Sequence, residues 1–445
     1  MIHCFQAGGH NVVVDGNSGS IHICDDLTYD IIAFREGADA ELALALVAES
    51  HPDITETELT GALAEISALV QSGQLYSAPP IEPEVIEERG QIHSGVVKAL
   101  CLNVSHACNM RCAYCFAAKA NGDGELMSFE VGKAALDFLI ANSGHRRNLE
   151  VDFFGGEPLL NWEVVKRLVK YARSAEMAAD KHFRFTLTTN GLDLTDEVLA
   201  FANREFQTVV LSLDGRKETH DRFRKLPDGT GSYVNVAKKI SGFVKNRVGE
   251  YYIRATYTRE NLDFVNDLTA LNDLGFEYLS IEPVVCGANE TYSLKDTDLN
   301  AILGEYDKLA EVLQKRKFNF YHFNLDLENG PCLNKRLSGC GSGSEYMAVT
   351  PDGGLYPCHR FVGDEKFIIG NVFEGVTRPD IVRQFASNNV FTNPECGECW
   401  AKLWCAGGCA ANTYYASGNP GGIYKFGCEL FKKRLEKAIQ LAAGQ

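Results

Sequence analysis

The spacing of apolar and polar positions divides the chain into an N-terminal module, a repetitive central region and an irregular C-terminal region. Near the start, short apolar runs alternate with turn sequences such as Gly8-Gly9 and Asp15-Gly16-Asn17, a pattern typical of short strands. Apolar residues then recur every three or four positions, as on one face of a helix, at Leu59, Leu63, Ile66 and Val70. We predict strands near 3–5, 11–14 and 20–23 followed by helices, which is a small module of winged-helix type.

The central region repeats the order strand, loop, helix. The predicted strands are Ala99–Val104, Leu149–Phe154, Phe183–Thr188, Thr208–Leu213, Tyr252–Tyr257 and Tyr278–Val284. Helical periodicity follows them, for example over 131–141, 164–175 and 198–206. Six such units in a row predict an α/β fold with a parallel sheet, either open or curled into a partial (β/α)6 TIM-like barrel. In such folds the chemistry gathers at the carboxyl ends of the strands.

These patterns also predict the domain boundaries. A Pro- and Glu-rich stretch after Ala78 indicates a linker, and beyond about Lys317 the repeat gives way to a region rich in cysteine and glycine. We therefore expect an N-terminal domain over 1–77, a linker over 78–95, the barrel over 96–317 and a C-terminal domain over 318–445.

Acidic residues are concentrated in the N-terminal module. Up to Gly95 the chain has sixteen Asp and Glu residues against two basic residues, Arg35 and Arg89, so this part carries −14 of the total formal charge of −16. Phosphate binding needs a basic surface, so the charge argues against a nucleic-acid partner. The first residues lack the features of a signal peptide, and no window has the ~20 apolar residues of a membrane helix. We expect a cytoplasmic protein without a membrane partner.

Fifteen cysteines in a reducing compartment favour metal or cluster ligation over disulfides. Cys108, Cys112 and Cys115 form C-x3-C-x2-C after the first barrel strand. Three thiolates can hold three irons of a [4Fe–4S] cluster and leave the fourth iron open to another ligand. A chance arrangement or a partial zinc site is the alternative for this motif taken alone.

A second constellation lies near the C-terminus. Cys396, Cys399, Cys405 and Cys409 form C-x2-C-x5-C-x3-C, with Cys340 and Cys358 upstream and Cys428 downstream. A structural zinc site is the main alternative, because C-x2-C pairs often bind zinc. Seven cysteines nearly supply the eight ligands that two [4Fe–4S] clusters need.

Together the motifs resemble the radical S-adenosylmethionine (SAM) superfamily. The segment His106-Ala107-Cys108-Asn109-Met110-Arg111-Cys112-Ala113-Tyr114-Cys115 is similar to its signature, and Gly155-Gly156-Glu157-Pro158 is similar to its GGE motif. The C-terminal cysteines, with C-x12-G-x4-C before C-x2-C-x5-C-x3-C, resemble the seven-cysteine SPASM extension. The N-terminal module and the segment from Leu100 to Cys108 are most similar to the maturases of six-cysteine (SCIFF) peptides, which begin with a winged-helix-like RiPP recognition element.

The resemblance implies a SAM site. Cys108, Cys112 and Cys115 would hold the cluster that cleaves SAM, and the protein would orient the cofactors and exclude water. Tyr114 belongs to the motif, Gly155 and Gly156 would let the backbone approach the methionine portion, and Glu157 would accept its ammonium group. Further SAM contacts implied by motif position are Asn190, Ser212 and Arg224. Gly155-Gly156 taken alone could equally be a turn.

The resemblance also assigns the auxiliary cysteines. Cys340, Cys358 and Cys409 would hold an inner cluster, and Cys396, Cys399, Cys405 and Cys428 an outer one, which makes three [4Fe–4S] clusters in all. The fourth ligand of the inner cluster is open: it is Cys332 or a thiolate of the substrate, and the latter suits carbon–sulfur bond formation.

Several other residues have plain structural interpretations. Asp214-Gly215 has the sequence of a strand-end turn, and we assign Asp214 no catalytic role. Glu282 could act as a base, but a structural carboxylate is the preferred interpretation, so the catalytic base is not assigned. Four cysteines match no cluster spacing and are expected to be small buried thiols: Cys4, Cys24, Cys101 and Cys286.

The implied function is a radical SAM maturase that joins cysteine sulfur to Cα carbons, with threonine as the usual acceptor, in a ribosomal cysteine-rich precursor peptide. The N-terminal domain would bind its leader, and flavodoxin or ferredoxin would supply electrons. One alternative is oxidation of a residue in a protein target, as in sulfatase maturases. Another is an iron–sulfur or zinc regulator of winged-helix type, against which the acidic charge counts.

Overall fold

The N-terminal module is a three-stranded antiparallel sheet with helices on one face. The computed structural model describes residues 1–37, 40–81, 96–119, 124–287, 289–327, 333, 337 and 339–444. The sheet order is β1 (Ile2–Ala7), β2 (His10–Asp15), β3 (Ile21–Cys24), and the helices are α1 (Asp26–Gly37), α2 (Ala40–Ser50) and α3 (Glu56–Gln71). Helix α3 begins with a capping box in which Thr55 and Glu58 satisfy each other's backbone N–H groups. Most of the predicted linker, 82–95, lies outside the described residues.

The predicted six-stranded parallel sheet is confirmed. Its strands are β4 (Ala99–Ser105), β6 (Asn148–Gly155), β7 (His182–Thr189), β8 (Phe206–Ser212), β10 (Glu250–Tyr257) and β11 (Tyr278–Pro283). Each lies within two residues of its predicted bounds, because runs of β-branched and aromatic residues define them. A separate two-stranded sheet joins β5 (Arg111–Cys112) to β9 (Arg224–Lys225).

Helices follow the strands and cover the sheet. They are α4 (Phe129–Asn142), α5 (Trp162–Ala179), α6 (Asp196–Glu205), α7 (Lys217–Phe223), α8 (Tyr233–Lys245), α9 (Phe264–Asp273) and α10 (Leu299–Lys315). Short 3-10 helices lie at Phe116–Lys119, Pro158–Asn161, Asp296–Asp298 and Tyr321–Phe323. Their inward apolar residues and the strands form one large core.

The sheet continues beyond the point where the sequence repeat ends. β12 (Asn319–Phe320) adds to β11, and β13 (Tyr346–Val349) pairs in parallel with β4, followed by antiparallel β14 (Gly354–Tyr356), β15 (Gly370–Asn371) and β16 (Gly375–Val376). The full order is β12-β11-β10-β8-β7-β6-β4-β13-β14-β15-β16. The C-terminal region therefore extends the barrel's own sheet.

The remaining C-terminal helices are short except for the last. They are α11 (Pro379–Ala386), α12 (Pro394–Gly397), α13 (Lys402–Cys405), α14 (Ala410–Ser417) and α15 (Lys425–Ala443), with further 3-10 turns at His359–Phe361 and Glu365–Phe367. Across the described ranges, no helix has the length and apolar character needed to cross a bilayer.

The N-terminal sheet is buried on both faces. Val13 of β2 packs into the module's own core with Ile31 and Ile66. Val12 and Val14 point the other way, into a second cluster with C-terminal residues, namely Trp400, Leu403, Trp404, Leu435 and Ile439. Because side chains alternate across a strand, a single strand joins the two cores.

Candidate active site and cluster-binding cysteines

The first cysteine loop follows β4 and is held by backbone pairing. Arg111 pairs with Lys225 in the small sheet, and the Ala113 N–H donates to the Phe223 carbonyl at 2.9 Å. At its start, the Asn190 amide donates to Asn109 Oδ1 at 2.7 Å and lies 3.8 Å from the Cys108 sulfur. The loop is therefore anchored on both sides of the three thiols.

The glycine loop after β6 packs directly on this cysteine loop. The Gly156 N–H donates to the Ser105 carbonyl at 2.7 Å, and the Glu157 N–H to the Ala107 carbonyl at 2.9 Å. A Cβ on Gly155, which has φ +128°, would lie 2.2 Å from Ser105 O, and one on Gly156 would lie 2.3 Å from Ala107 O. The missing side chains thus allow close backbone contact with the segment leading to Cys108, a requirement separate from the expected approach to a ligand.

Glu157 is fully buried and joins two strand ends. Its carboxylate accepts hydrogen bonds from Thr189 Oγ1 at 2.7 Å, the Asn190 N–H at 2.8 Å and the Leu159 N–H at 3.1 Å. Burial raises the pKa of Glu157 to about 7, although these hydrogen bonds lower it. The carboxylate therefore positions Asn190 and has an ionisation near neutral pH.

Asp214 organises the opposite wall. It accepts a hydrogen bond from the Tyr114 hydroxyl, two from the Arg224 guanidinium at 2.8 and 3.2 Å, and one from the Thr256 N–H at 3.0 Å. The Arg224 guanidinium also lies over the Tyr114 ring, 5.4 Å from its centroid. Asp214 is wholly buried, so it is a structural centre that connects Tyr114 with Arg224.

One cavity of about 160 Å³ at the carboxyl ends of the strands brings the predicted residues together. All ten expected residues of the SAM site line it: Cys108, Cys112, Tyr114, Cys115, Gly155, Gly156, Glu157, Asn190, Ser212 and Arg224. Arg254, Glu282 and Arg360 also line the cavity. Sequence reasoning missed Arg254 and Arg360, yet a charged residue within the apolar alternation of strand β10 was an available signal for Arg254.

Glu282 lies at the end of β11 against a histidine. Its Oε1 is 3.0 Å from His322 Nε2. Burial raises the pKa of Glu282, but His322 and then Arg254 and Arg434 outweigh it and hold the pKa well below the usual range. The ionised form of the Glu282 carboxylate is thus favoured.

The thiols of the first loop interact electrostatically as one set. Burial raises the pKa of Cys112 to about 12; Arg224 lowers it, and the thiols of Cys115 and Cys108 raise it further. Burial likewise raises the pKa of Cys108 to about 11. A bound metal cluster would reverse this balance, because iron stabilises the thiolate form.

The C-terminal cysteines lie near one another, and their thiols influence each other's pKa values. Burial raises the pKa of Cys358 to about 12, with contributions from Cys409 and Cys340. Burial raises that of Cys405 to about 12, with contributions from Cys428, Cys399 and Cys396. The four thiols of this second set line a common cavity of about 200 Å³: Cys396, Cys399, Cys405 and Cys428.

The outer thiol set surrounds a cavity, and this is the arrangement that a [4Fe–4S] cluster needs, since each of its irons binds one thiolate. Cys332, the predicted further ligand of the inner set, lies outside the described residues. Of the unassigned cysteines, Cys101 is buried, whereas Cys4, Cys24 and Cys286 are half-buried.

Two family models match the chain. The radical SAM superfamily model matches residues 102–268, and the iron–sulfur cluster-binding SPASM domain model matches residues 340–400. The chain contains a radical SAM domain and a SPASM domain. A radical SAM enzyme uses SAM and a [4Fe–4S] cluster, and the SPASM domain suggests further iron–sulfur binding in the C-terminal region.

Two of the curated relatives of this chain are maturases. A cysteine-type anaerobic sulfatase-maturating enzyme of Clostridium novyi is 26% identical over 75% of this chain and 93% of its own length. The mycofactocin maturase MftC of Mycolicibacterium smegmatis is 24% identical over 77% of this chain and 84% of its own.

Solved structures share the fold. The structure of native anSMEcpe with bound AdoMet matches with a TM-score of 0.63 at 23% identity, over 78% of this chain and 98% of that one. Streptococcus suis SuiB bound to precursor peptide SuiA matches with a TM-score of 0.54 at 16% identity, over 93% of this chain and 95% of that one. The unmatched 7% is shorter than the N-terminal module, so the likeness to SuiB extends into that module.

Proposed function

We propose that this radical SAM enzyme installs thioether cross-links between cysteine sulfur and Cα carbons, with threonine as the acceptor, in a ribosomally made cysteine-rich peptide. The observation that carries the proposal is that two cavities, which between them contain cysteines of all three sets, share part of their walls. Glu282 and Pro283 line the cavity of the first thiol set and also a second cavity that contains Cys396, Cys405, Cys409 and Cys428. A peptide between the two cavities would contact both the SAM site and the auxiliary cysteines.

The residues of the chain would bind, orient and shield the reactants. Cys108, Cys112 and Cys115 would hold the cluster that, with SAM bound, supplies a 5′-deoxyadenosyl radical. Glu157 and the glycine loop would hold the methionine portion, with Asn190 and Ser212 beside it. Tyr114 and Arg224 would act mainly through their bonds to Asp214, which fix the wall of the site. The walls Phe116, Phe154 and Val284 would exclude water.

The overall reaction balances as a two-electron oxidation of the peptide. The Cα–H bond loses a hydrogen atom to the radical, the cysteine S–H loses a proton, and a C–S bond forms. One electron is left over, and the auxiliary clusters are the acceptors for it. A thiolate bound at the inner set of Cys340, Cys358 and Cys409 would be held deprotonated for this step.

The N-terminal module would bind the leader of the peptide. Strand β3 is one of the two edge strands of its sheet, and Ile23 on that strand is 55% exposed. Leu63 and Val70 on helix α3 are also exposed. An exposed sheet edge suits a peptide that adds as a further strand, and exposed apolar side chains can contribute to its binding. The sixteen acidic residues up to Gly95 predict basic residues in that leader.

A second candidate is oxidation of a residue in a protein target. It is favoured by the similarity to the sulfatase-maturating enzyme of Clostridium novyi. A protein-directed enzyme has no evident need for the acidic N-terminal module, which is the feature that separates the two candidates.

The cluster content is the first test. The protein would be purified without oxygen, reconstituted, and analysed for iron, sulfide and zinc. We expect about twelve irons per chain, the content of three [4Fe–4S] clusters. Replacing Cys108, Cys112 and Cys115 by alanine should remove about four of them, whereas the control Cys286→Ser should keep all. About four irons together with zinc would contradict the proposed route to the thioether.

To test the reaction itself, the neighbourhood of the gene is searched for a small cysteine-rich reading frame, and the peptide that it encodes is synthesised. Incubation with SAM and a reductant should yield a product lacking two hydrogen atoms per cross-link, with fragmentation blocked between the joined residues. A product that keeps all its thiols free, or activity only on a sulfatase-type sequence, would favour the second candidate.

A further inference from the structure

Arg254 lies inside the active-site cavity on strand β10. In the sheet register it is level with Ser212 of β8 and Ser280 of β11, two residues before Thr256. It is partly buried and lines the same cavity as the first thiol set. Arg254 is thus a long cationic side chain on the floor of the site.

The other charged groups that line the strand side of this cavity already have partners. Arg224 binds Asp214, Arg360 donates to Asn412 Oδ1 at 2.7 Å, and Glu282 lies against His322. In the described ranges, the Arg254 guanidinium makes no hydrogen bond and no ion pair within 4 Å. Five N–H donors of a guanidinium are therefore available to whatever enters the cavity.

Without a ligand, the surroundings of Arg254 make the charged form of its guanidinium unfavourable in free energy. Burial lowers the pKa of Arg254; Glu282 opposes this effect, and Arg360 and Arg224 add to it. A desolvated cation close to two others is stabilised when it gains an oxygen acceptor. The site thus favours a ligand that brings a carboxylate or carbonyl oxygen to this point.

We propose that Arg254 is a substrate-positioning residue that binds a carbonyl or carboxylate oxygen of the peptide next to the reacting Cα. This deepens the proposed function and rests on it. By holding the backbone of the acceptor residue, the guanidinium fork sets which Cα–H faces the radical source. Arg254 would act on the geometry of the peptide, and it takes no part in the bond changes.

The carboxylate of SAM is the other source of the same chemistry. Arg254 is level in the sheet with Ser212, an expected SAM contact, and Arg224 also acts on it electrostatically. Among the charged neighbours, however, Glu282 on β11 has the largest effect on Arg254, and Glu282 also lines the cavity of the auxiliary cysteines. This position towards the second cavity favours the peptide, and the SAM affinity of an Arg254 variant distinguishes the two sources.

The test compares Arg254→Gln and Arg254→Lys with the surface control Arg184→Gln, all as reconstituted full-length enzymes. The probe is the same synthetic cysteine-rich peptide as in the test of the reaction. We expect Arg254→Gln to raise the KM for the peptide roughly tenfold or more, as for the loss of a charge-assisted hydrogen bond. It should also raise the ratio of 5′-deoxyadenosine to cross-linked product, because SAM is cleaved without correct presentation of the Cα–H. Arg254→Lys should restore part of both values.

SAM affinity, measured by equilibrium dialysis, separates the two sources. An affinity for SAM within about twofold of the wild type, together with the changed peptide KM, supports the proposal. A fall in SAM affinity with an unchanged peptide KM would assign Arg254 to the SAM carboxylate and overturn the proposal. The proposal is also overturned if neither the SAM affinity nor the peptide KM changes. If the iron content shows that Arg254→Gln does not fold, the peptide KM and the SAM affinity of Arg254→Lys are used for the same decision. Failure of the wild type to make product would count against the proposed function instead.

Discussion

At the residue scale, Asp214 shows how a site can depend on a side chain that looks ordinary in sequence. Asp-Gly after a strand predicts a turn, and the turn is present. The structure adds that the buried carboxylate holds Tyr114, Arg224 and the Thr256 N–H together. These partners lie up to 100 residues from Asp214 in sequence, so no local pattern could reveal the network. The glycine and cysteine motifs, in contrast, are recognisable from the spacing of their residues.

The ionisation of Glu157 predicts a pH dependence of SAM binding. Its pKa is raised to about 7, so the carboxylate form, which would accept the SAM ammonium, increases as pH rises through that value. We expect SAM affinity to increase between pH 6 and pH 8, measured by equilibrium dialysis. Glu157→Gln should lose this part of the dependence and keep only that of SAM itself. An identical pH profile for both proteins would contradict the assignment.

Gly156 is predicted to tolerate no side chain. A Cβ would lie 2.3 Å from the Ala107 carbonyl oxygen, so Gly156→Ala must displace the cysteine loop at a cost of about 1–3 kcal/mol. We expect loss of SAM affinity and of iron from the first set. Gly304→Ala, at an open helical position, is the control and should stabilise the protein by about 0.5–1 kcal/mol. Both are measured by denaturant unfolding and iron analysis.

At the element scale, the predicted and the unpredicted parts of the fold have different physical origins. The six barrel strands were predictable because each is a local run of apolar, β-branched residues followed by a helix. Strands β12 to β16 were not, since they have two to four residues and contain glycines at β14, β15 and β16. These strands form because they pair with strands that already belong to the sheet; β13, for example, pairs with β4. Long-range pairing leaves no periodic signal.

The turn between β2 and β3 is predicted to stabilise the loop of the outer cysteine set. Lys402 is 4% exposed, and its ammonium donates to Asn17 Oδ1 at 2.7 Å and to the Gly397 carbonyl at 2.8 Å. Asn17→Ala removes one acceptor from a buried cation and should cost about 1–3 kcal/mol in unfolding free energy. The exposed Asn300→Ala is the matched control. Equal stability of both variants would show that this contact contributes nothing.

At the scale of the whole molecule, the acidic charge of the first 95 residues predicts salt-sensitive leader binding. Attraction between this surface and a basic leader is screened as the Debye length falls from about 10 Å at 0.1 M salt to about 3 Å at 1 M. We expect the leader Kd to rise across that range, measured by fluorescence anisotropy with the synthetic leader. A Kd that does not change with salt would exclude electrostatic attraction as its basis.

Removing residues 1–81 is predicted to affect the clusters as well as leader binding. Trp400 and Trp404 are 9% and 4% exposed because β2 covers them. Without the module, this apolar surface meets water next to Cys399 and Cys405, and we expect aggregation and iron content falling from about twelve to about eight. The control Ile23→Ser should weaken leader binding and keep all the iron. Full iron in the truncated protein would disprove the prediction.

The two-sided burial of the N-terminal sheet has a consequence for protein engineering. His3 stacks on Trp400 at 3.9 Å, and a Cβ on Gly16 would meet the Trp400 backbone at 2.6 Å, so the two surfaces are matched in shape atom by atom. Substrate choice could be changed by replacing this module with one from another maturase. The face of such a module that packs on the C-terminal region would then have a different shape. A working chimaera has to carry its own version of the 400–404 segment and of the facing side of the last helix. The N-terminal module therefore cannot be exchanged by itself to change which substrate this enzyme accepts.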